Sequence, residues 1–446
     1  MRLWQSIGLT LSLLTSSISC SAMTIEQDTL SNGIPIIIVP DASADVAGVE
    51  VIYQVGGFAE SRPVTGISHV LEHMMFKGTE KYPKSAFTES LKKMGGIVNA
   101  FTSPDYTGYH ELVPAEQLPT IMALEADRVQ NLTLLEADFL REIEVVKEER
   151  RMRTDDVPMM ALFERLQAAA FPSGPYHDPL VGWMDDLEHM TIEQVRDWYR
   201  QWYCADNMAL VIAGKVDTNA VFDLAERTFG RVSKCRAPAP RQLREVKQMG
   251  PMSIEAKLNT GVPILEMAFR VPSIVSKADA SEAYAILVAL DILDGGQSSR
   301  FEKILVRENQ IASSIWIHYE PDQRFENLAV IAGTAMPDIS IQRLERAISQ
   351  EIQKLQTTLV SKEELALAKM RLKAEMAFVQ DDPLDRLHWI GSYPALGLSA
   401  DFAEQREEII EEVTAKQIQS VMQKYFTAER LIKAVGLPME GAQKDA

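Results

Sequence analysis

The chain is 446 residues long and carries 45 Lys plus Arg against 63 Asp plus Glu, a formal charge of −18. That balance argues against nucleic acid as a partner, because phosphate binding draws its affinity from clustered cations; with 46% hydrophobic and 24% charged residues the composition is ordinary globular, neither disordered nor collagenous. At roughly 100 to 200 residues per domain the length predicts two to four domains, and beyond the N-terminus no apolar run reaches the ~18 residues of a membrane span.

Residues 1–22 read as an export leader. Arg2 supplies a positive start, residues 7–14 an apolar stretch broken only by Gly, Thr and Ser, and residues 16–22 a run of mostly small side chains. Cys20 and Ala22 stand at the −3 and −1 positions of a cleavage after Ala22. The segment Ser17-Ile18-Ser19-Cys20 faintly resembles a bacterial lipobox, with Ser17 where an aliphatic residue is usual. The expectation is an exported chain in the periplasm, with lipid anchoring through Cys20 or secretion as alternatives. Cleavage leaves only Cys204 and Cys235, too few for a disulfide framework, and two packed thiols are expected.

After the leader the sequence opens with strand-like runs at 34–39 and 46–55, punctuated by Asn32-Gly33 and Gly56-Gly57. Helical patterns follow at 66–77, 85–94, 118–131 and 136–152. Between 233 and 252 the sequence turns irregular, with Pro238, Pro240, Gly250 and Pro251, which marks a linker. The two sides of it look alike. Thr191, Gln194 and Val195 lead through Trp202-Tyr203-Cys204-Ala205 to Ile212-Ala213-Gly214; Thr414, Gln417 and Ile418 lead through Tyr425-Phe426-Thr427-Ala428 to Ala434-Val435-Gly436. A helix, a turn and a strand recur in one order, which predicts two tandem α+β domains, 23–232 and 253–446.

The strongest local signal is His69-Val70-Leu71-Glu72-His73, an H-x-x-E-H element in a chain with only 7 His. Such a match arises by chance in about one such chain in a hundred. On a helix, positions i and i+4 share a face, so His69 and His73 can present two imidazoles to one cation, with Glu72 beside them. Gly66 and Pro63 mark the start of that helix and Gly78 its stop. A catalytic zinc site takes a third protein ligand. The acidic stretch 136–152 offers Glu142, Glu144, Glu148 and Glu149; Glu142 and Glu149 are seven residues apart and share a helical face, and spacing alone does not choose between them.

These residues resemble a known family. Gly57-Phe58-Ala59-Glu60, then Thr65-Gly66-Ile67-Ser68-His69 through His73 to Phe76-Lys77-Gly78-Thr79, is similar to the active-site signature of the inverted-zincin, pitrilysin-like M16 metallopeptidases, which include mitochondrial processing peptidase and insulin-degrading enzyme. The likeness continues through Asn99-Ala100-Phe101-Thr102, Glu142 to Glu149, His177-Asp178-Pro179 to Gly182-Trp183, and Gly295-Gly296 to Arg300, and so covers essentially the whole chain after the leader. It implies two tandem homologous α/β-sandwich domains with a processing-peptidase-like fold, each a mostly antiparallel sheet with helices packed on one face, the first binding zinc and the second not. The length resembles the short, two-domain branch.

The resemblance also implies roles. The family's third zinc ligand is a Glu about 76 residues after the second His, which is Glu149, with Glu142 supporting the site from behind. One Zn2+ per chain is implied, Glu72 as the general base, and Asn99 and Ala100 as part of an edge strand that binds extended substrate. Arg307 matches an Arg that, with a Tyr seven residues later, reaches the substrate in trans; here Ser314 stands at the Tyr position. A chain with zinc ligands and no such Tyr looks like the catalytic half of a heterodimer whose related partner supplies Arg and Tyr, with a homodimer as the other possibility. The implied activity is an exported zinc endopeptidase acting on peptides or unfolded chains. The alternatives are a noncatalytic scaffold or binding subunit of the same fold, and a hydrolase of nonpeptide substrates.

Overall fold

A computed structural model describes residues 24–238, 245–276 and 280–439. The leader, with Cys20, and Pro240 of the linker lie outside the described residues. In the first half, strands β1 (Glu26–Thr29), β2 (Pro35–Pro40), β3 (Val46–Tyr53), β4 (Ile97–Thr102), β5 (Thr107–Pro114) and β6 (Met208–Gly214) make one sheet. Its order is β1-β2-β6-β3-β5-β4. β2 and β6 are parallel, while β3 is antiparallel to β6 and β5, and β4 to β5. The helices of this half are α1 (Ile67–Met74), α2 (Ala86–Lys93), α3 (Leu118–Asn131), α4 (Glu136–Arg150), α5 (Pro158–Ala170), α6 (Met184–His189), α7 (Ile192–Trp202) and α8 (Thr218–Thr228).

The second half repeats the plan with strands β7 (Met252–Leu258), β8 (Ile264–Val271), β9 (Ala312–His318), β10 (Asn327–Ala335) and β11 (Leu431–Pro438), in the order β7-β11-β8-β10-β9. β11 is parallel to β7 and antiparallel to β8, as β6 is to β2 and β3. Its helices are α9 (Ser281–Asp294), α10 (Ile341–Thr357), α11 (Lys362–Asp381), α12 (Pro383–Ala395), α13 (Phe402–Glu412) and α14 (Ala415–Tyr425). The repeat seen in sequence has a physical basis at its threonines. Thr191 and Thr414 each close a capping box with the Gln three residues on, which satisfies free backbone N–H groups at the starts of α7 and α14. The architecture is α+β: two homologous units, each with its own helices against one face of a mixed, mainly antiparallel sheet.

The opposite face of each sheet is covered by a helix from the other half. α12 lies on β3, β5 and β6, and α5 lies on β7, β8 and β11. Both helices open with a proline at the first position, where the missing N–H costs nothing. Close approach is made possible by glycine: a Cβ on Gly391 of α12 would collide with Ile52 of β3, and one on Gly48 with Leu387. Covered on both faces, β6 and β8 are buried along their whole length, which explains their near-continuous apolar runs.

Two local expectations are corrected. Cys204 and Cys235 are not two packed thiols but a disulfide, with Cα atoms 5.8 Å apart. The cause is tertiary: Ala205 N–H bonds to the Ser233 carbonyl at 3.0 Å, which lays the segment after β6 and α8 beside the end of α7. The helix expected to reach 152 ends at Arg150 and widens into a π-helical turn (Arg151–Asp155) before Pro158 opens α5.

Candidate metal centre

The centre is built where α1 meets α4. Gly66, at φ 83°, turns the chain into α1, and a Cβ there would strike the Val181 carbonyl. No side chain caps α1 from its N-cap position, but Glu60 does so from outside, accepting from Gly66 N at 2.6 Å and Ser68 N at 2.8 Å. Burial nevertheless raises the Glu60 carboxyl to about 7. At the far end of α4, buried Arg150 donates to Glu164 of α5 at 2.8 Å and to the Gly182 carbonyl at 2.9 Å. Since Gly182 packs on Thr65 and Gly66, Arg150 fastens the end of α4 to the start of α1. Its neighbour Glu149 is thereby held opposite the two histidines.

His69, His73 and Glu149 offer ligand atoms within 4.8 Å of one another. Nε2 of His73 lies 3.3 Å and Nε2 of His69 3.7 Å from the same oxygen, Glu149 Oε2. The rings stand nearly perpendicular, at 77°. Burial, with His73 and Arg153 adding, lowers His69 to about 3, so its imidazole stays neutral and free to ligate. Two imidazole nitrogens and a carboxylate oxygen converging in this way fit a tetrahedral divalent cation such as zinc, with a fourth position left for water or substrate. Among the described residues no other group of three such side chains converges.

Around the three, other side chains fix orientation. Glu142 Oε2 faces His73 Nδ1 at 3.4 Å, and Glu142 Oε1 meets Lys77 Nζ at 2.5 Å. Arg153 Nη1 holds Glu149 Oε1 at 2.7 Å. Glu72 Oε2 accepts from Thr102 Oγ1 at 2.6 Å, and burial raises the Glu72 carboxyl above its usual range. Thr102 ends β4, the edge strand that also carries Asn99 and Ala100. Arg307 sits in a π-helical segment (Phe301–Glu308), donates to the Gln297 carbonyl and lies near Glu302, all within the second half; the structure does not bring it to the three ligand atoms. Sequence reasoning gave no role to Lys77, Thr102 or Arg153. The signal for Lys77 and Arg153 was present, since each lies one helical turn past a site residue, His73 and Glu149; Thr102 is placed only by sheet pairing.

Next to the centre opens a cavity of about 330 Å³. Arg153 lines it together with Phe163, Phe171 and Leu180 of the first half and His318 and Leu328 of the second. Both halves therefore wall the space beside Arg153.

Comparison with known proteins matches this geometry to a lineage. The family model "Insulinase (Peptidase family M16)" matches residues 36–182, and "Peptidase M16 inactive domain" matches 189–372. The chain is 29% identical over 391 residues to zinc protease PqqE of Helicobacter pylori, covering 86% of this chain and 84% of that one. It is 25% identical over 352 residues to the uncharacterized zinc protease YmxG of Bacillus subtilis, covering 79% and 83%. Among solved structures it resembles a protease from Helicobacter pylori, with a TM-score of 0.87 and 26% identity over 93% of this chain and 100% of that one. It shares its fold with the periplasmic protease PqqL from Escherichia coli, TM-score 0.75 at 20% identity, covering 95% of this chain and 48% of that one. With a candidate three-ligand centre in the first unit, a repeat of the same fold in the second and both family models matched in order, the chain belongs to peptidase family M16.

Proposed function

We propose that the protein is an exported zinc-dependent endopeptidase acting on peptides or unfolded chains, with His69, His73 and Glu149 as metal ligands and Glu72 as general base. The observation that carries this reading is the convergence of those three ligands beside Glu72. Zinc, when bound, supplies a Lewis acid that polarises the scissile carbonyl and acidifies water towards a pKa of ~7. The chain's own residues do the rest. Thr102 occupies one oxygen of Glu72 and leaves Oε1 to take the proton from water and return it to the departing amine. A carboxyl raised by burial is better matched to that exchange near neutral pH than an exposed one.

Edge strand β4, with Asn99 and Ala100, gives an extended chain unpaired backbone groups on which to add a strand. The cavity beside Arg153 gives its side chains an apolar wall. Export is supported by the leader pattern and by the Cys204–Cys235 disulfide, since such bonds persist in oxidising compartments. Ser314, where the family pattern has Tyr, lies on β9 and hydrogen-bonds Thr334 at 2.8 Å. That favours a dimer in which a related chain completes the site with Arg and Tyr. The test is metal content together with cleavage of a quenched peptide library by the purified chain, alone and with a related chain. One zinc per chain with chelator-sensitive cleavage is expected; a zinc-loaded protein that cleaves no peptide in either setting would refute the peptidase reading and favour a binding subunit.

A further inference from the structure

The two carboxylates that bracket His73 are held in the same way. Glu149 presents Oε2 to His73 Nε2 while Arg153 occupies Oε1; Glu142 presents Oε2 to His73 Nδ1 while Lys77 occupies Oε1. Each acid thus has one oxygen tied to a cation and the other aimed at the imidazole. Lys77 is set for this by the chain's exit from α1: its N–H bonds to the Met74 carbonyl at 3.0 Å, and Gly78, at φ 101°, turns the backbone away immediately after it. Its side chain is 29% exposed and that of Glu142 16%, so the pair is shielded from bulk water more than a surface ion pair is.

We infer that Lys77 is a positioning residue of the metal centre: by holding Glu142 Oε1 it keeps Oε2 on His73 Nδ1, which fixes the ring with Nε2 facing the cation. Without the Lys77 ammonium, Glu142 has three free side-chain torsions and two nearly equivalent oxygens. It can swing towards solvent, leaving Nδ1 without a partner, or swing inward and compete with Glu149 as a ligand. Groups that orient a ligating His typically change metal affinity 10- to 100-fold when removed, and a group acting through such a partner belongs at the lower end. The inference rests on the proposed metal centre but not on peptidase activity.

The test therefore uses zinc affinity of the full chain, measured against a chromophoric chelator, and the visible spectrum of the cobalt(II)-loaded protein. Lys77→Met is expected to weaken zinc binding about 10-fold and to alter the cobalt bands, while Lys77→Arg restores both. Glu142→Gln is expected to give a similar loss, and the double variant no more than the larger single one, because the two act as one unit. Wild-type zinc affinity and spectrum in Lys77→Met, or losses that multiply in the double variant, would overturn the inference. If Lys77→Met does not fold by circular dichroism, Lys77→Gln takes its place with the same two readings. Unchanged zinc affinity in His73→Ala would instead remove the metal centre itself, and the inference with it.

Discussion

The helix pair α1 and α4 and the helix pair α9 and α11 occupy the same place in the two halves, yet they are closed by opposite chemistry. In the second half Arg371 of α11 reaches Asp291 of α9, Nη2 to Oδ2 at 2.5 Å and Nε to Oδ2 at 3.1 Å. The protein supplies its own cation there. In the first half two imidazoles and a carboxylate converge with no guanidinium or ammonium among the three. Glu149 does receive a cation on Oε1, from Arg153, but its Oε2 faces the two imidazole nitrogens, a donor set that suits a metal ion. The difference sets one half with a candidate metal centre apart from another in which no such group of three converges among the described residues.

The exchanged helices make a second comparison. Glu50 on β3 pairs in register with Val211, and Glu266 on β8 with Ala434; 434 − 211 is 223, the same offset as 414 − 191 for the capping threonines, so the two glutamates are equivalent. Both are buried. Glu50 meets His388 of α12 at 3.4 Å, an ion-pair distance, whereas no ion pair joins Glu266 to α5 among the described residues, and burial raises Glu266 to about 8. At His388 burial works to lower the pKa, but Glu50, with Asp385 and Glu320 adding, more than offsets it, and the net shift is upward. One interface is joined by charge; the other keeps a neutral acid.

The sharpest way to break the first comparison is to remove one closing side chain on each side. His73→Ala is expected to lose both zinc, by metal analysis, and cleavage, whereas Arg371→Met leaves zinc at one per chain; loss of zinc from the second-half variant would end the asymmetry. Glu72→Gln is expected to keep the metal and lower kcat by roughly 10²- to 10⁴-fold, and wild-type turnover would sink the base assignment. Leu387 and Leu162 are fully buried on the two exchanged helices. Truncating either to Ala is expected to cost about 2–5 kcal/mol in denaturant unfolding; a near-zero cost at one of them would show that the reciprocal packing is unequal.

The smallest effects are in pH. A raised His388 contributes stability that is fully present below its unfolded pKa of about 6.5 and is lost as pH rises through the higher folded value. The melting-temperature gap between wild type and His388→Gln should therefore close as pH rises above neutrality. Relative to Glu266→Gln, the wild type should lose stability earlier, from about 4.3, the usual value of an unfolded Glu, up to about 8. Identical pH windows for the two variants would contradict the assignment of charge to one interface and a neutral acid to the other.

Several features were legible because they are local. The H-x-x-E-H spacing places two histidines on one helical face, and the structure has both on α1. The expected helix at 118–131 is α3, with the same limits, because its apolar period and its proline at the start agree. The Thr-x-x-Gln pairs at 191–194 and 414–417 are both capping boxes. Glu149 was separable from Glu142 only through family resemblance, since both lie on one face of α4; in space one faces Nε2 of His73 and the other Nδ1. Thr102, thirty residues from Glu72, could not be found from spacing.

The sequence alone thus determined the composition of the parts: an α+β chain with a repeated helix-to-strand unit, a two-histidine helix face and an acidic helix to complete it. Periodicity, capping and turn chemistry act within about ten residues, so these were readable. The tertiary structure alone decided that α5 and α12 trade places across the halves, that Cys204 and Cys235 meet, that Arg150 locks α4 to α1, and which cation each carboxylate receives. Those outcomes depend on contacts between segments tens to hundreds of residues apart, where burial and charge compensation, which no local pattern encodes, choose the partner.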